Sequence, residues 1–202
     1  MSDIAFRMAD AHDAPFLART IAVVSEGVLA QLLDNVLPGI SSEAILEMVL
    51  RDGSSHYSYK NCVLAERDGE STGLLFAYDA AYQSIPKLMR ATIEKRRIDP
   101  LEDLLTASVA ESLYINTFWV SEAVRGLGLS DTLMDYAKEW AKALSLQKLS
   151  LFVFHDNGRA REFYRRHGFT VYRSVQLGGD VASRHGGGDL MVCEIDESSL
   201  GA

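Results

Sequence analysis

Two apolar runs that bracket an amphipathic helix constrain this chain more than any other feature. Ser112 to Val120 reads SLYINTFWV and Leu149 to Phe154 reads LSLFVF. Both are almost continuously apolar, β-branched or aromatic, as expected of strands covered on both faces. Between them, Leu133, Ala137, Trp140, Ala141 and Leu144 fall on one helical face, and Asp131, Asp135, Lys138 and Lys142 fall on the other. A strand, helix, strand unit of this length implies a right-handed crossover, which places a parallel pair at the core of the fold.

The other elements are arranged around that pair. Ile4 to Met8 alternates as a strand, and Asp10 or Asp13 caps the helix suggested by Phe16, Leu17, Ile21 and Val24. Two helical stretches follow, Val28 to Val36 and Ser42 to Leu50, separated by a turn at Pro38-Gly39. Asn61 to Glu66 and Thr72 to Tyr78 flank Asp68-Gly69, a dipeptide suited to positive φ, and predict a tight hairpin. A helical insertion at about 81 to 111 carries Leu88, Met89 and Ile93 at helical spacing. It continues with Asp99-Pro100-Leu101-Glu102, a capped start with proline in first position. Two short helices are expected there, with Glu94 to Arg97 as a solvated face. Asn157 to His167 predicts another helix, closed by Gly168. Strands Thr170 to Leu177 and Leu190 to Ile195 then flank a Gly-rich loop at 178 to 188. With no repeat or linker, one domain over 1–202 is expected.

Composition narrows the function. The 202 residues carry 20 Lys plus Arg against 28 Asp plus Glu, a net charge of −8. That balance disfavours nucleic acid and anionic membranes as partners. Cys62 and Cys193 lie in apolar strand-like runs and read as reduced structural thiols, which points to the cytoplasm. The N-terminus lacks an export pattern, and no run approaches the ~18 apolar residues of a membrane span. Histidines 12, 56, 155, 167 and 185 form no metal-ligand spacing, and no GxSxG surrounds a serine, so neither a metal nor a serine nucleophile is expected.

The segment with chemical content is Val124-Arg125-Gly126-Leu127-Gly128-Leu129-Ser130, which joins a strand to the strong helix. Such a turn aims several backbone amides and the positive end of a helix dipole at one place, which suits an anion. The sequence lacks GxxxxGK[ST], which excludes a P-loop. Dinucleotide binding is a weak competitor. Asp131 stands where that fingerprint needs its third glycine and would repel a pyrophosphate, and Asp156 lies farther along than the roughly 20 residues the fingerprint expects.

Two blocks go further. Arg125, Gly128 and Ser130 match the pattern [QR]xxGx[GA], with serine at the last small position. Asn157, Ala160, Phe163, Tyr164, Gly168 and Phe169 match NxxAxxFYxxxGF after a strand. On these residues the chain resembles the GNAT superfamily of acyl-CoA-dependent N-acetyltransferases. The blocks span about residues 112 to 170, and the N-terminal third matches in element order alone.

The resemblance implies an α/β fold: a mixed, mainly antiparallel sheet flanked by helices, whose central parallel pair splays at 112 to 120 and 148 to 154. It implies acetyl transfer from acetyl-CoA to a primary amine by direct attack, without a covalent enzyme intermediate and without metal. The pyrophosphate would rest on the amides of Gly126, Leu127, Gly128, Leu129 and Ser130, with Arg125 adding a charge-assisted contact. Main-chain groups near Val120 would meet the pantetheine amides. Tyr164 is the candidate acid for the departing thiolate. Asn157 either binds the cofactor or caps its helix. Glu111 is either the base that takes the amine proton or an exposed carboxylate. The acceptor would lie against the N-terminal helices, the insertion and the 178 to 188 segment. A cationic amine suits the acidic chain, whether a polyamine, an amino sugar or a protein lysine. A homodimer is compatible with such a family. A non-catalytic acyl-CoA sensor, keeping the loop and using Tyr164 only for packing, is the alternative.

Overall fold

The computed structural model describes residues 4–195, and the strands among them form one seven-stranded sheet. In chain order, β1 (Ala5–Met8) leads into α1 (Ala14–Val24), α2 (Val28–Leu33) and α3 (Ser42–Asp52). The hairpin β2 (Cys62–Arg67) and β3 (Glu70–Asp79) follows, then α4 (Lys87–Thr92), α5 (Lys95–Ile98) and α6 (Glu102–Thr106). The central unit is β4 (Ser112–Val120), α7 (Leu129–Ala143) and β5 (Lys148–Phe154). The described residues continue through α8 (Gly158–Arg166), β6 (Thr170–Val175), α9 (Gly179–His185) and β7 (Gly188–Glu194).

The strand order is β1-β2-β3-β4-β5-β7-β6, and among the described residues β4·β5 is the one parallel pair. The β2–β3 turn uses Asp68 and Gly69, both at positive φ (55° and 81°), as a two-residue hairpin of right-handed twist requires. β4 is buried in most of its length because α1 and α3 cover one face of the sheet and α7 and α8 cover the other. On the first face Leu17, Leu50, Leu64, Leu74 and Phe76 pack together; on the second, Leu75, Leu113, Leu133, Met134, Leu149 and Phe169 do so. Each such fully buried side chain contributes about 1.5–3 kcal/mol of transfer free energy.

One irregularity opens the middle of the sheet. Along the β3·β4 ladder Ala77 faces Ile115 and Phe76 faces Thr117, so Asn116 is an extra, unopposed residue on β4. A bulge of this kind bends the strand that carries it. The β4·β5 ladder runs from Ser112↔Lys148 to Ile115↔Leu151 and stops at that bulge. Beyond it β5 stays paired with β7 to Phe154, and β4 stays paired with β3 to Val120. The two central strands therefore part company at their C-terminal ends.

Three expectations need correction. The insertion holds three short α-helices rather than two, and Asp99 is no cap: Asp99–Leu101 forms a 3₁₀ turn with Pro100 inside it, and the helix proper starts at Glu102. The 178 to 188 segment is no open loop, because α9 fills it. That helix is held from outside itself: the Gln31 side chain accepts from the Val181 amide (3.0 Å), and Gly178 donates to the Pro100 carbonyl (2.7 Å). Val181 is then buried against Leu32, Leu101 and Phe154. Finally, α2 ends at Leu33, three residues before the expected Val36.

Candidate active site

The opening between β4 and β5 is visible in the burial pattern. Both strands are otherwise largely buried, yet Asn116, Phe118 and Trp119 of β4 and Phe152 of β5 are half-buried in mid-sheet. Its walls differ on the two faces. Phe118 turns toward α8, with ring centroids 5.6 Å from Phe163 and 6.4 Å from Tyr164. Trp119 turns the other way and meets Phe16 of α1 edge-on at 5.9 Å. Residues alternate along an antiparallel ladder in which neighbour they address. The Ser121 amide donates to the Thr72 carbonyl (2.8 Å), so Val120 and Phe118 direct their main-chain groups away from β3, into the opening.

The turn that leaves β4 has the geometry of an anion cradle. Gly126 (φ 80°) and Gly128 (φ 83°) occupy left-handed conformations that side chains disfavour, and a Cβ at either would project into open space. Gly128 is the residue before α7, which has no side-chain cap. The amides of Gly126, Gly128, Leu129, Ser130 and Asp131 consequently find no acceptor among the described residues, and Thr132 is the first to bond back, to Gly128 (3.1 Å). The Leu127 amide differs from its neighbours: it donates to Val124 at 3.4 Å, inside the turn. Arg125 is exposed and its guanidinium is paired with Glu122 (2.6 Å).

Tyr164 is the buried residue of α8, its ring packed by Phe118, Phe163 and Phe169. Its hydroxyl bonds to no described residue, and it is not among the sealed polar atoms that lack a partner. Burial pushes this phenol well above its ordinary range, which keeps it protonated. Asn157 spends its side-chain oxygen on the Ala160 amide (3.1 Å), capping α8, and its nitrogen donates to Glu26 (3.4 Å).

The structure does not bring Glu111 to this group. It sits exposed at φ 60° just before β4, where its carbonyl accepts from Gln147. That is the closed end of the strand pair, about 13 Å of extended chain from the point where the strands separate. Its side of the ladder is shut by the Ser112 and Ser150 hydroxyls, 2.7 Å apart.

Three features of the site had no local signal. Asn116 is a bulge only because of its pairing with β3; its amide nitrogen donates to the Tyr57 and Tyr78 hydroxyls (3.3 Å each) on the α1 face. Phe118 belongs to the wall beside Tyr164. Asp131, in the first turn of α7, bonds His167 at the end of α8 (2.9 Å). At the far ends of β5 and β7, Asp189 is buried and accepts from Arg161 (2.7 Å) and Ser174 (3.0 Å), with the His155 ring 3.1 Å away. Burial opposes its charge, yet these partners prevail and hold its carboxyl below the usual range. No cluster of three metal-ligating side chains occurs among the described residues.

Comparison with known proteins places this geometry. The sequence model of the Acetyltransferase (GNAT) family matches residues 46–169, which include the turn, α7, β5 and α8. No curated protein matches the chain. Among solved structures, one described as an acetyltransferase is 22% identical with a TM-score of 0.64, over 95% of this chain and 100% of its own. An N-acetyltransferase from Staphylococcus aureus Mu50 is 18% identical with a TM-score of 0.65, over 93% and 99%. The PaiA N-acetyltransferase from Thermoplasma acidophilum, solved in complex with coenzyme A, is 14% identical with a TM-score of 0.53, over 95% and 99%.

Proposed function

Because the chain belongs to the Acetyltransferase (GNAT) family, we propose that it moves an acetyl group from acetyl-CoA to a primary amine by direct attack. The observation that carries this reading is the conjunction at one end of β4. A strand pair opens at the Asn116 bulge, a set of unpartnered amides lies just beyond Val120, and a protonated phenol borders the opening.

The residues present fit the donor. The free amides of Gly126, Gly128, Leu129, Ser130 and Asp131, at the positive end of α7, suit a diphosphate. Arg125 joins them by exchanging Glu122 for a phosphate oxygen. Main-chain groups of Phe118 and Val120 offer ladder-like hydrogen bonds to the amides of a pantetheine arm. Asn157 supports the site by fixing the start of α8, since its oxygen is already committed.

Acetyl-CoA supplies a thioester: a C–N bond forms at its carbonyl carbon, the C–S bond breaks, and one proton passes from nitrogen to sulfur. Tyr164 serves that transfer. A phenol held above its ordinary range is a weaker acid than a thiol near 8.5. It therefore donates a hydrogen bond to the departing sulfur and yields its proton only as it regains one from the amine side. Glu111, exposed at the opposite end of the β4·β5 ladder, is given no part in this reading. On the α1 face the opening is bordered by Phe16, Tyr57, Asn116 and Trp119, and this is where the acceptor enters.

Thiol release from acetyl-CoA, measured with and without a panel of primary amines, tests the reading. Amine-dependent release above background hydrolysis is expected. Saturable CoA binding without amine-dependent release identifies an acyl-CoA sensor instead. Stabilisation by NAD but not CoA in a thermal shift experiment identifies a dinucleotide protein.

A further inference from the structure

The cradle contains a residue that works against it. Asp131 is the third residue of α7, and its carboxylate stands in the same first turn as the free amides. A carboxylate there favours the helix dipole but opposes any anion that approaches the same amides. It is not left alone. His167, the residue that ends α8, places Nε2 2.9 Å from Asp131 Oδ1. A carboxylate can only accept, so Nε2 is the donor.

The histidine is held for this contact from several directions. Its side chain is 14% exposed whereas that of Asp131 is 64% exposed. Its ring packs on Phe163 at 4.5 Å. Its amide bonds the Phe163 and Tyr164 carbonyls as α8 ends, and its carbonyl accepts from the Cys193 thiol. The donor is thus the fixed partner and the carboxylate the movable one. The contact also ties the start of α7, where the diphosphate would sit, to the end of the helix that carries Tyr164.

We infer that His167 is a positioning residue for the acyl donor: it draws the Asp131 carboxylate toward α8, away from the diphosphate, and so keeps the α7 amides receptive to an anion. The inference rests on the acetyl-CoA reading above, and it assigns to His167 a role beyond ending a helix.

A double-mutant cycle on the full chain decides it, with CoA affinity measured by titration calorimetry and inorganic pyrophosphate as a second probe. Exposed pairs of this kind have small energies, so His167→Phe, which keeps a ring against Phe163 and removes the donor, is expected to weaken CoA by about two- to fivefold at low salt. Asp131→Asn is expected to tighten it by a similar factor, and the double variant is expected to bind like Asp131→Asn alone. The His167→Phe deficit is expected to shrink at high salt, as a merely structural defect would not. An equal deficit with and without Asp131, or one insensitive to salt, overturns the inference and leaves the function standing. If His167→Phe lowers the melting temperature too far to be measured, Asp131→Asn alone decides, and unchanged or weaker CoA binding by it overturns the inference. A wild-type protein that binds no CoA overturns the functional reading together with this one.

Discussion

Substituting Gly128 by alanine separates the fold from the site. The residue holds φ 83°, and a Cβ built on it meets nothing within 4 Å. The methyl therefore collides with no part of the protein, and its structural cost is confined to the left-handed backbone, about 1–2 kcal/mol for a residue with a side chain. In a domain of this size each kcal/mol lowers the melting temperature by about 2–4 °C, so a drop of roughly 2–8 °C is expected. Typical stabilities of about 5–15 kcal/mol leave the folded state dominant after such a loss. A change in CoA affinity then reports a local event. The added methyl stands beside the Gly128 and Leu129 amides, and a lost hydrogen bond to a charged group is worth about 1.5–3 kcal/mol, or roughly ten- to a hundredfold in Kd. Differential scanning fluorimetry and calorimetric titration of Gly128→Ala with CoA measure the two quantities. A protein with the lowered melting temperature and an unchanged CoA Kd would refute the placement of the diphosphate on this turn.

Four further outcomes are expected. Tyr164→Phe should keep CoA affinity and lose about a hundredfold or more in kcat; full turnover in that variant removes the phenol from the chemistry. Glu111→Gln should leave kcat within a factor of about two, given its place at the closed end of the strand pair; a loss above tenfold would restore it as the base. Asp189→Asn leaves Arg161 as an uncompensated, largely buried charge, and breaking such a pair costs about 3–5 kcal/mol, visible as a large fall in melting temperature. His185 is shielded from solvent, which opposes its charge, but bonds to Asp156 and the Glu26 carbonyl prevail and raise it above 6.5. Its contribution to stability is therefore complete below about pH 6.5 and is lost as pH rises through the elevated value. Melting temperatures of His185→Gln across pH 5.5 to 8.5 should lack that decline; an identical profile in both proteins contradicts it.

Where the determinants are local, the sequence states them. Ser112–Val120 is a strand with the ends its composition suggests, since seven of its nine residues are apolar, β-branched or aromatic and suit a strand between two helical layers. Asp68-Gly69 makes its hairpin, and the apolar stripe on α7 faces the core at Leu133, Ala137 and Ala141. The features without a local signal depend on distant partners. Asn116 looks like any strand residue until β3 skips it, yet that skip ends the parallel ladder. α9 has too many glycines nearby to be expected as a helix, and Gln31 and Pro100, more than seventy residues away in sequence, hold it. The same holds within the site. The glycine turn and the Tyr164 block are contiguous strings, whereas the pairing of Arg125 with Glu122, the committed oxygen of Asn157 and the bond from His167 to Asp131 emerge only when side chains have places. Glu111 is near β4 in sequence, but nearness in sequence does not say which end of a strand opens, and it lies at the closed one.

The amides at the start of α7 are the proposed seat of the diphosphate of an acyl-CoA, and the rest of the site is arranged from that point. Backbone amide resonances of the isotopically labelled protein, followed while CoA is added, test this directly. Large shifts at Gly126, Gly128, Leu129 and Ser130, with smaller ones along Phe118 to Val120, are predicted. CoA that binds while these amides stay still and another surface responds would contradict it.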